Sequence, residues 1–142
     1  MEIISNHAEE TEAAAAALAQ KLRAGDVLAY FGGLGAGKTT FTRGLARGLS
    51  LPDTVSSPTF ALVHEYTGGR LSLCHFDMYR IGSEEELYGI GFYDYLSRPE
   101  TVLAIEWSEN ISFALDMPHI SVTFTALSET GRRIRIEGDD RF

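Results

Sequence analysis

Apolar positions in this chain fall into two kinds of pattern, unbroken short runs and spacings of three to four. Val27-Leu28-Ala29-Tyr30-Phe31 is a run of strand length that ends in a glycine cluster, as expected of a strand buried on both faces in a parallel sheet. From Lys38 to Leu49 the spacing turns helical, with Phe41, Leu45 and Leu49 four apart on one face. Strand, loop and helix follow in order. Phe60 to Tyr66, the turn Thr67-Gly68-Gly69-Arg70, and Leu71 to Asp77 then read as a hairpin. Glu84 to Leu87 and Phe92 to Leu96 suit short helices, and Thr101 to Trp107 is another apolar strand. Near the end, Ile120, Val122 and Phe124 alternate with Ser121, Thr123 and Thr125, and Ile134 and Ile136 alternate with Arg133, Arg135 and Glu137. With the turn Ser128-Glu129-Thr130-Gly131 between them, they predict a second hairpin with one wet face.

Upstream, the alanine run Ala13 to Ala17 follows Glu9, Glu10 and Glu12. Asn6 with Glu9 approximates a capping box, and Gly25 follows Lys21 and Arg23, so a helix is expected from about His7 to about Ala24. The sum is an α/β fold: a single domain over residues 1–142, with a mixed central sheet flanked by helices and antiparallel hairpins.

A length of 142 residues with 44% hydrophobic content fits that one domain and its core. The longest apolar runs fall far short of a bilayer span, and the start Met1-Glu2-Ile3-Ile4 lacks a basic signal region, so a cytoplasmic protein without a membrane association is expected. Cys74 is the only cysteine, which excludes an internal disulfide and a cysteine-rich metal site. Its place in an apolar run marks it as core rather than nucleophile. A net charge of -8 argues against unaided grip on a nucleic-acid backbone; any RNA would be held by a partner.

Gly32-Gly33-Leu34-Gly35-Ala36-Gly37-Lys38-Thr39 fits G-x-x-x-x-G-K-[ST], placed between a strand and a helix as a phosphate-binding loop requires. Glycines let the backbone wrap phosphates with inward N–H groups, and the helix N-terminus adds its dipole. Lys38 can reach the β and γ phosphates, and Thr39 can place its hydroxyl on a magnesium ion. The expected class is a P-loop NTPase with ATP and Mg2+ as cofactors.

Such a site needs a carboxylate at a strand's C-terminal end, and Glu106 and Asp77 both qualify. Glu106 is favoured as outer metal ligand or orienter of the attacking water, Asp77 as a magnesium ligand or its support; sequence does not separate the roles. Either acid can instead cap a helix or pair with Arg80. Ser56-Ser57-Pro58-Thr59 follows the loop helix, where hydroxyls can sense a γ phosphate, although a proline-bearing turn explains it as well. His7, His64, His75 and His119 show no metal-ligand spacing. Trp107, next to Glu106, can line the nucleotide site or face a partner, with core packing the plainer reading.

Taken in order, Gly32 to Thr40, Ser56-Ser57-Pro58-Thr59-Phe60, His75-Phe76-Asp77-Met78-Tyr79-Arg80, Glu84-Glu85-Glu86-Leu87 and Ile105-Glu106-Trp107 resemble the TsaE (YjeE) family over nearly the whole chain. That family supplies the ATPase of bacterial tRNA threonylcarbamoyladenosine synthesis. The resemblance implies an ATPase, weak alone and stimulated by the TsaB and TsaD proteins, with tRNA reached through that complex. It implies a magnesium site using Thr39 and Glu106, a need for Asp77, and nucleotide contacts by Thr11. With the loop itself, the implied nucleotide-binding set is Thr11, Gly33, Leu34, Gly35, Ala36, Gly37, Lys38, Thr39, Thr40, Thr59 and Trp107.

Three other classes compete. A small-molecule kinase shares the loop pattern but needs an acceptor pocket and commonly an arginine-bearing lid, and no lid segment stands out between Gly82 and Glu100. Arg132 and Arg133 sit in a hairpin turn, where solvated charge is the plainer reading. A GTPase predicts an Asn-Lys-x-Asp guanine reader that the chain lacks. A non-catalytic module predicts tight ATP binding without turnover.

Overall fold

The computed structural model describes residues 1–33, 35–52 and 62–142. In chain order the elements are β1 (Glu2–Ser5), α1 (Ala8–Ala19), β2 (Val27–Phe31), α2 (Lys38–Gly48), β3 (Val63–Tyr66), β4 (Ser72–Asp77), α3 (Glu84–Gly89), α4 (Phe92–Leu96), β5 (Thr101–Glu106), a 3-10 stretch (Ser108–Ala114), β6 (Ile120–Ala126) and β7 (Arg132–Glu137). The strands make one seven-stranded mixed sheet in the order β1-β7-β6-β2-β5-β4-β3. β6, β2, β5 and β4 run parallel in its centre, while the β6–β7, β1–β7 and β3–β4 pairs are antiparallel. The central strands β2 and β5 are buried over nearly their whole length, which is why both read as continuous apolar runs.

Helices α1 and α2 cover one face of the sheet, over a core that includes Leu28, Tyr30, Leu73, Ala104, Val122 and Phe124. The other face packs Cys74, Phe76, Leu103 and Ile105 beneath Leu87, Phe92 and Ile111. The β6–β7 hairpin buries Ile120, Val122, Phe124, Ile134 and Ile136 and exposes Thr123, Arg133 and Arg135, giving the wet face that its alternation predicts.

The extent of α1 is corrected, and one strand is added to the expected set. β1 was not foreseen: Glu-Ile-Ile-Ser has no period, and β7 holds it as an edge strand, with the Met1 amine donating to the Ile136 carbonyl. α1 starts from His7 without a side-chain cap and stops at Ala19, short of Ala24. Its last carbonyls, Ala17 O, Leu18 O and Ala19 O, accept from the backbone N–H groups of Gln20, Lys21 and Leu22, and Arg70 from the β3–β4 turn also donates to Ala19 O and, beyond the helix, to Leu22 O. Phe60, expected to begin the hairpin, lies outside the described residues, and β3 begins at Val63.

The alanine run has its reason in the contact between α1 and α2. A Cβ on Gly44 would come within 2.3 Å of Glu12 O and 2.6 Å of Ala15 Cβ. At Gly48 it would come within 2.4 Å of Ala16 O and 2.6 Å of Ala19 Cβ. Small residues four apart on both helices let the backbones approach to a distance that any larger side chain would prevent. In an exposed helix Gly→Ala gains about 1 kcal/mol. Here Gly44→Ala and Gly48→Ala are each expected to lose about 1–3 kcal/mol through overpacking, read as a fall in the urea midpoint at unchanged m value. Burial pushes the Cys74 thiol up to about 11, so it stays protonated at neutral pH. Thiol-reactive disulfide reagents at pH 8 are expected to leave the folded chain unlabelled and to label one thiol per chain in denaturant.

Candidate functional site

The C-terminal ends of β2 and β5 deliver the chemistry to one edge of the sheet, where β2 turns through a glycine-rich loop into α2. The loop's shape depends on its glycines. Gly32 has φ 133° and packs so tightly that a Cβ would stand 2.5 Å from Phe124 O. Gly35 at φ 74° and Gly37 at φ 102° are left-handed, and Gly37 is the N-cap of α2. A first turn with no side-chain cap leaves the N–H groups of Lys38, Thr39 and Thr40 without helical partners.

The start of α2 is locked from below. The buried Tyr30 hydroxyl lies 2.8 Å from Thr42 Oγ1, which donates to Lys38 O at 2.8 Å. Burial raises the Tyr30 phenol well above its ordinary range, so it remains a neutral donor. The rings of Phe41 and Phe124 meet Tyr30 edge to face at 5.9 and 5.2 Å.

Around the loop lies a cleft of about 360 Å³ lined by Gly33, Gly35, Ala36, Gly37, Lys38, Thr39, Thr40, Glu106 and Arg132. Lys38 is buried, its Nζ 5.4 Å from the centroid of the Trp107 ring. Trp107 holds the left-handed backbone at φ 60°, ψ 42°, at a cost of roughly 1 kcal/mol, which turns its ring against Tyr79 at 4.9 Å. The Ser108 hydroxyl donates to Ile105 O and secures that turn. Trp107 therefore faces Lys38 on one side while packing against the second core on the other.

Glu106 ends β5 and reaches the cleft wall. Its Oε2 is buried and lies 2.6 Å from Nε2 of the fully buried His75, yet neither atom makes a hydrogen bond of good direction with the described residues. Thr39 and Glu106 line the same cleft, and a hydroxyl with a carboxylate is a donor pair that suits a hard divalent cation. Asp77 pairs in register with Glu106 on the neighbouring strand, but its Oδ1 accepts from Tyr79 N at 2.8 Å and it is absent from the described cleft wall. The structure thus brings Lys38, Thr39 and Glu106 together and leaves Asp77 at the margin.

Thr11 sits on the first turns of α1 in an adjoining depression of about 180 Å³, shared with Ala8, Gly37, Thr40, Glu129, Thr130 and Arg132. Its hydroxyl donates to Ser5 Oγ at 2.7 Å. Leu34 and the segment Ser56-Ser57-Pro58-Thr59, including the nucleotide-contact candidate Thr59, lie outside the described residues. Arg132 corrects the reading of that side chain as solvated charge: it donates to Gly35 O at 3.0 Å and to the carbonyls of Ser128, Glu129 and Gly131. Only its proximity in space, not its place in a turn, could have revealed this.

A slightly larger depression of about 390 Å³ lies at the opposite end of β2, among Asp26, His119, Asp139 and Arg141. Its charges are spent on one another. Arg141 engages both Asp26 oxygens, at 2.8 and 2.9 Å, and Asp139, whose carboxyl it lowers to about 2. The glycine-loop cleft, whose Lys38 ammonium has no hydrogen-bond partner among the described residues, is the better candidate.

The family model described as threonylcarbamoyl adenosine biosynthesis protein TsaE matches residues 5–134. The tRNA threonylcarbamoyladenosine biosynthesis protein TsaE of Rickettsia felis is 39% identical over 92% of this chain and 75% of its own length. The Bacillus subtilis protein of that name is 39% identical over 89% and 78%, and that of Treponema pallidum 34% identical over 96% and 99%. The crystal structure of YdiB from Bacillus subtilis superposes with a TM-score of 0.81 at 30% identity, covering 100% of this chain and 88% of that one. Among the described residues no helix is long and apolar enough to cross a membrane. On the reach of the family model and the near full-length identity to its named members, this chain belongs to the TsaE family of tRNA threonylcarbamoyladenosine biosynthesis proteins.

Proposed function

We propose that the chain is the magnesium-dependent, ATP-hydrolysing subunit of bacterial tRNA threonylcarbamoyladenosine synthesis, acting with the TsaB and TsaD proteins and meeting tRNA through them. The observation that carries this reading is the convergence of the left-handed glycine loop, the uncapped start of α2, Lys38, Thr39 and Glu106 on one cleft. Free N–H groups at a helix start favour an anion of phosphate size. Lys38 supplies a mobile cation to the β and γ phosphates, and the base would extend toward Thr11 and Thr40, where the second depression opens.

Thr39 and Glu106 would hold magnesium, which when bound neutralises charge developing on the phosphates. Glu106 would also orient a water for attack on the γ phosphorus. Asp77 supports that edge of the sheet by fixing the turn into Tyr79. The acidic surface accords with partners, rather than this subunit, holding the RNA.

The test is ATP hydrolysis by the chain alone, and with TsaB, TsaD and tRNA. Partner-stimulated turnover is expected, and Lys38→Ala is expected to reduce it at least roughly 100-fold. Glu106→Ala is expected to lower kcat by a similar factor while leaving the melting temperature close to that of the wild type. ATP-dependent phosphorylation of a small acceptor without partner stimulation would sink the proposal in favour of a kinase. Trp107 is the only tryptophan, so ATP engaging Lys38 is expected to change its fluorescence, and Lys38→Ala to abolish that change.

A further inference from the structure

His75 is the buried polar group that the cleft does not explain. It lies on β4 between Leu73 and Asp77, with its ring fully buried and 6.4 Å from that of Tyr30. Neither ring nitrogen has a hydrogen-bond partner among the described residues. An unsatisfied buried polar atom costs about 1–3 kcal/mol, so a phenylalanine or leucine there would serve the core better. The strand register shows what the histidine gains. Its Cα partner on β5 is Ala104, and Glu106 is two residues further along the same face, the diagonal position that long side chains span. Nε2 and Oε2 stand 2.6 Å apart.

We propose that His75 is a positioning residue for Glu106, holding the buried Oε2 in place so that the other carboxylate oxygen is presented to the cleft. The proposal rests on the reading of Glu106 as the cleft's working carboxylate. Without a restraint, the side chain of Glu106 would retain rotamer freedom at the mouth of the cleft. A short contact from a group anchored in the sheet removes that freedom, as outer contacts do for metal-binding carboxylates elsewhere. His75 does not itself line the cleft and reaches it only through Glu106.

The test uses the full chain with His75→Phe, which fills the ring's space without a donor, and His75→Gln, which restores an N–H at similar reach. The readouts are thermal stability, Trp107 fluorescence on titrating Mg2+ into the ATP-bound chain, and ATPase kinetics with TsaB, TsaD and tRNA. The phenylalanine variant is expected to melt at or above the wild-type temperature, to need roughly 10- to 100-fold more Mg2+, and to lose kcat while keeping its KM for ATP. The glutamine variant is expected to recover most of both losses. Wild-type Mg2+ dependence and kcat in His75→Phe, or equal losses in both variants, would overturn the positioning role while leaving the ATPase reading intact. A wild-type chain whose Trp107 signal ignores ATP and Mg2+ would overturn the reading of the cleft, and this assignment with it.

Discussion

The seating of α2 is the constraint on which the rest depends. Two surfaces fix it. Toward the sheet, Phe41 and Leu45 enter the core above Tyr30 and Phe124, and the Tyr30–Thr42–Lys38 chain ties the first turn to β2. Toward α1, Gly44 and Gly48 allow contact at backbone distance. A helix held along its whole length cannot pivot, so its N-terminus keeps a fixed aim at the cleft. Packing far from the loop thereby sets the direction of the loop's donors.

Much of this was legible in the sequence, because buried parallel strands must be apolar without interruption and a left-handed loop must carry glycine. β2, the loop and β5 follow from those two rules, and α2 from apolar residues four apart. The edge strand β1 did not, since its pairing with β7 is decided by a partner at the far end of the chain. The premature end of α1 was equally hidden, because the side chain that donates to Ala19 O there is Arg70, on a turn beyond three further elements.

The candidate site divides along the same line. Lys38, Thr39 and Glu106 were readable because each is tied to a motif or a strand end. Arg132 and His75 were not: one reads as turn charge and the other as a histidine without metal-ligand spacing, and both acquire meaning only from neighbours distant in sequence. Trp107 stood in between, since no residue pattern foretells a left-handed backbone at a tryptophan. Part of the acidic excess is likewise local in origin. Glu9 and Glu10 in the first turn of α1, and Glu84, Glu85 and Glu86 in that of α3, complement helix dipoles.

The bond from Arg132 to Gly35 O carries a stereochemical consequence. A trans peptide points its carbonyl and its amide hydrogen in opposite directions. With the Gly35 carbonyl drawn to the guanidinium, the N–H of Ala36, in the same peptide plane, is turned away from it. The loop's electrical polarity, which face offers hydrogen and which offers oxygen, is therefore set in part by a side chain 97 residues further along the chain.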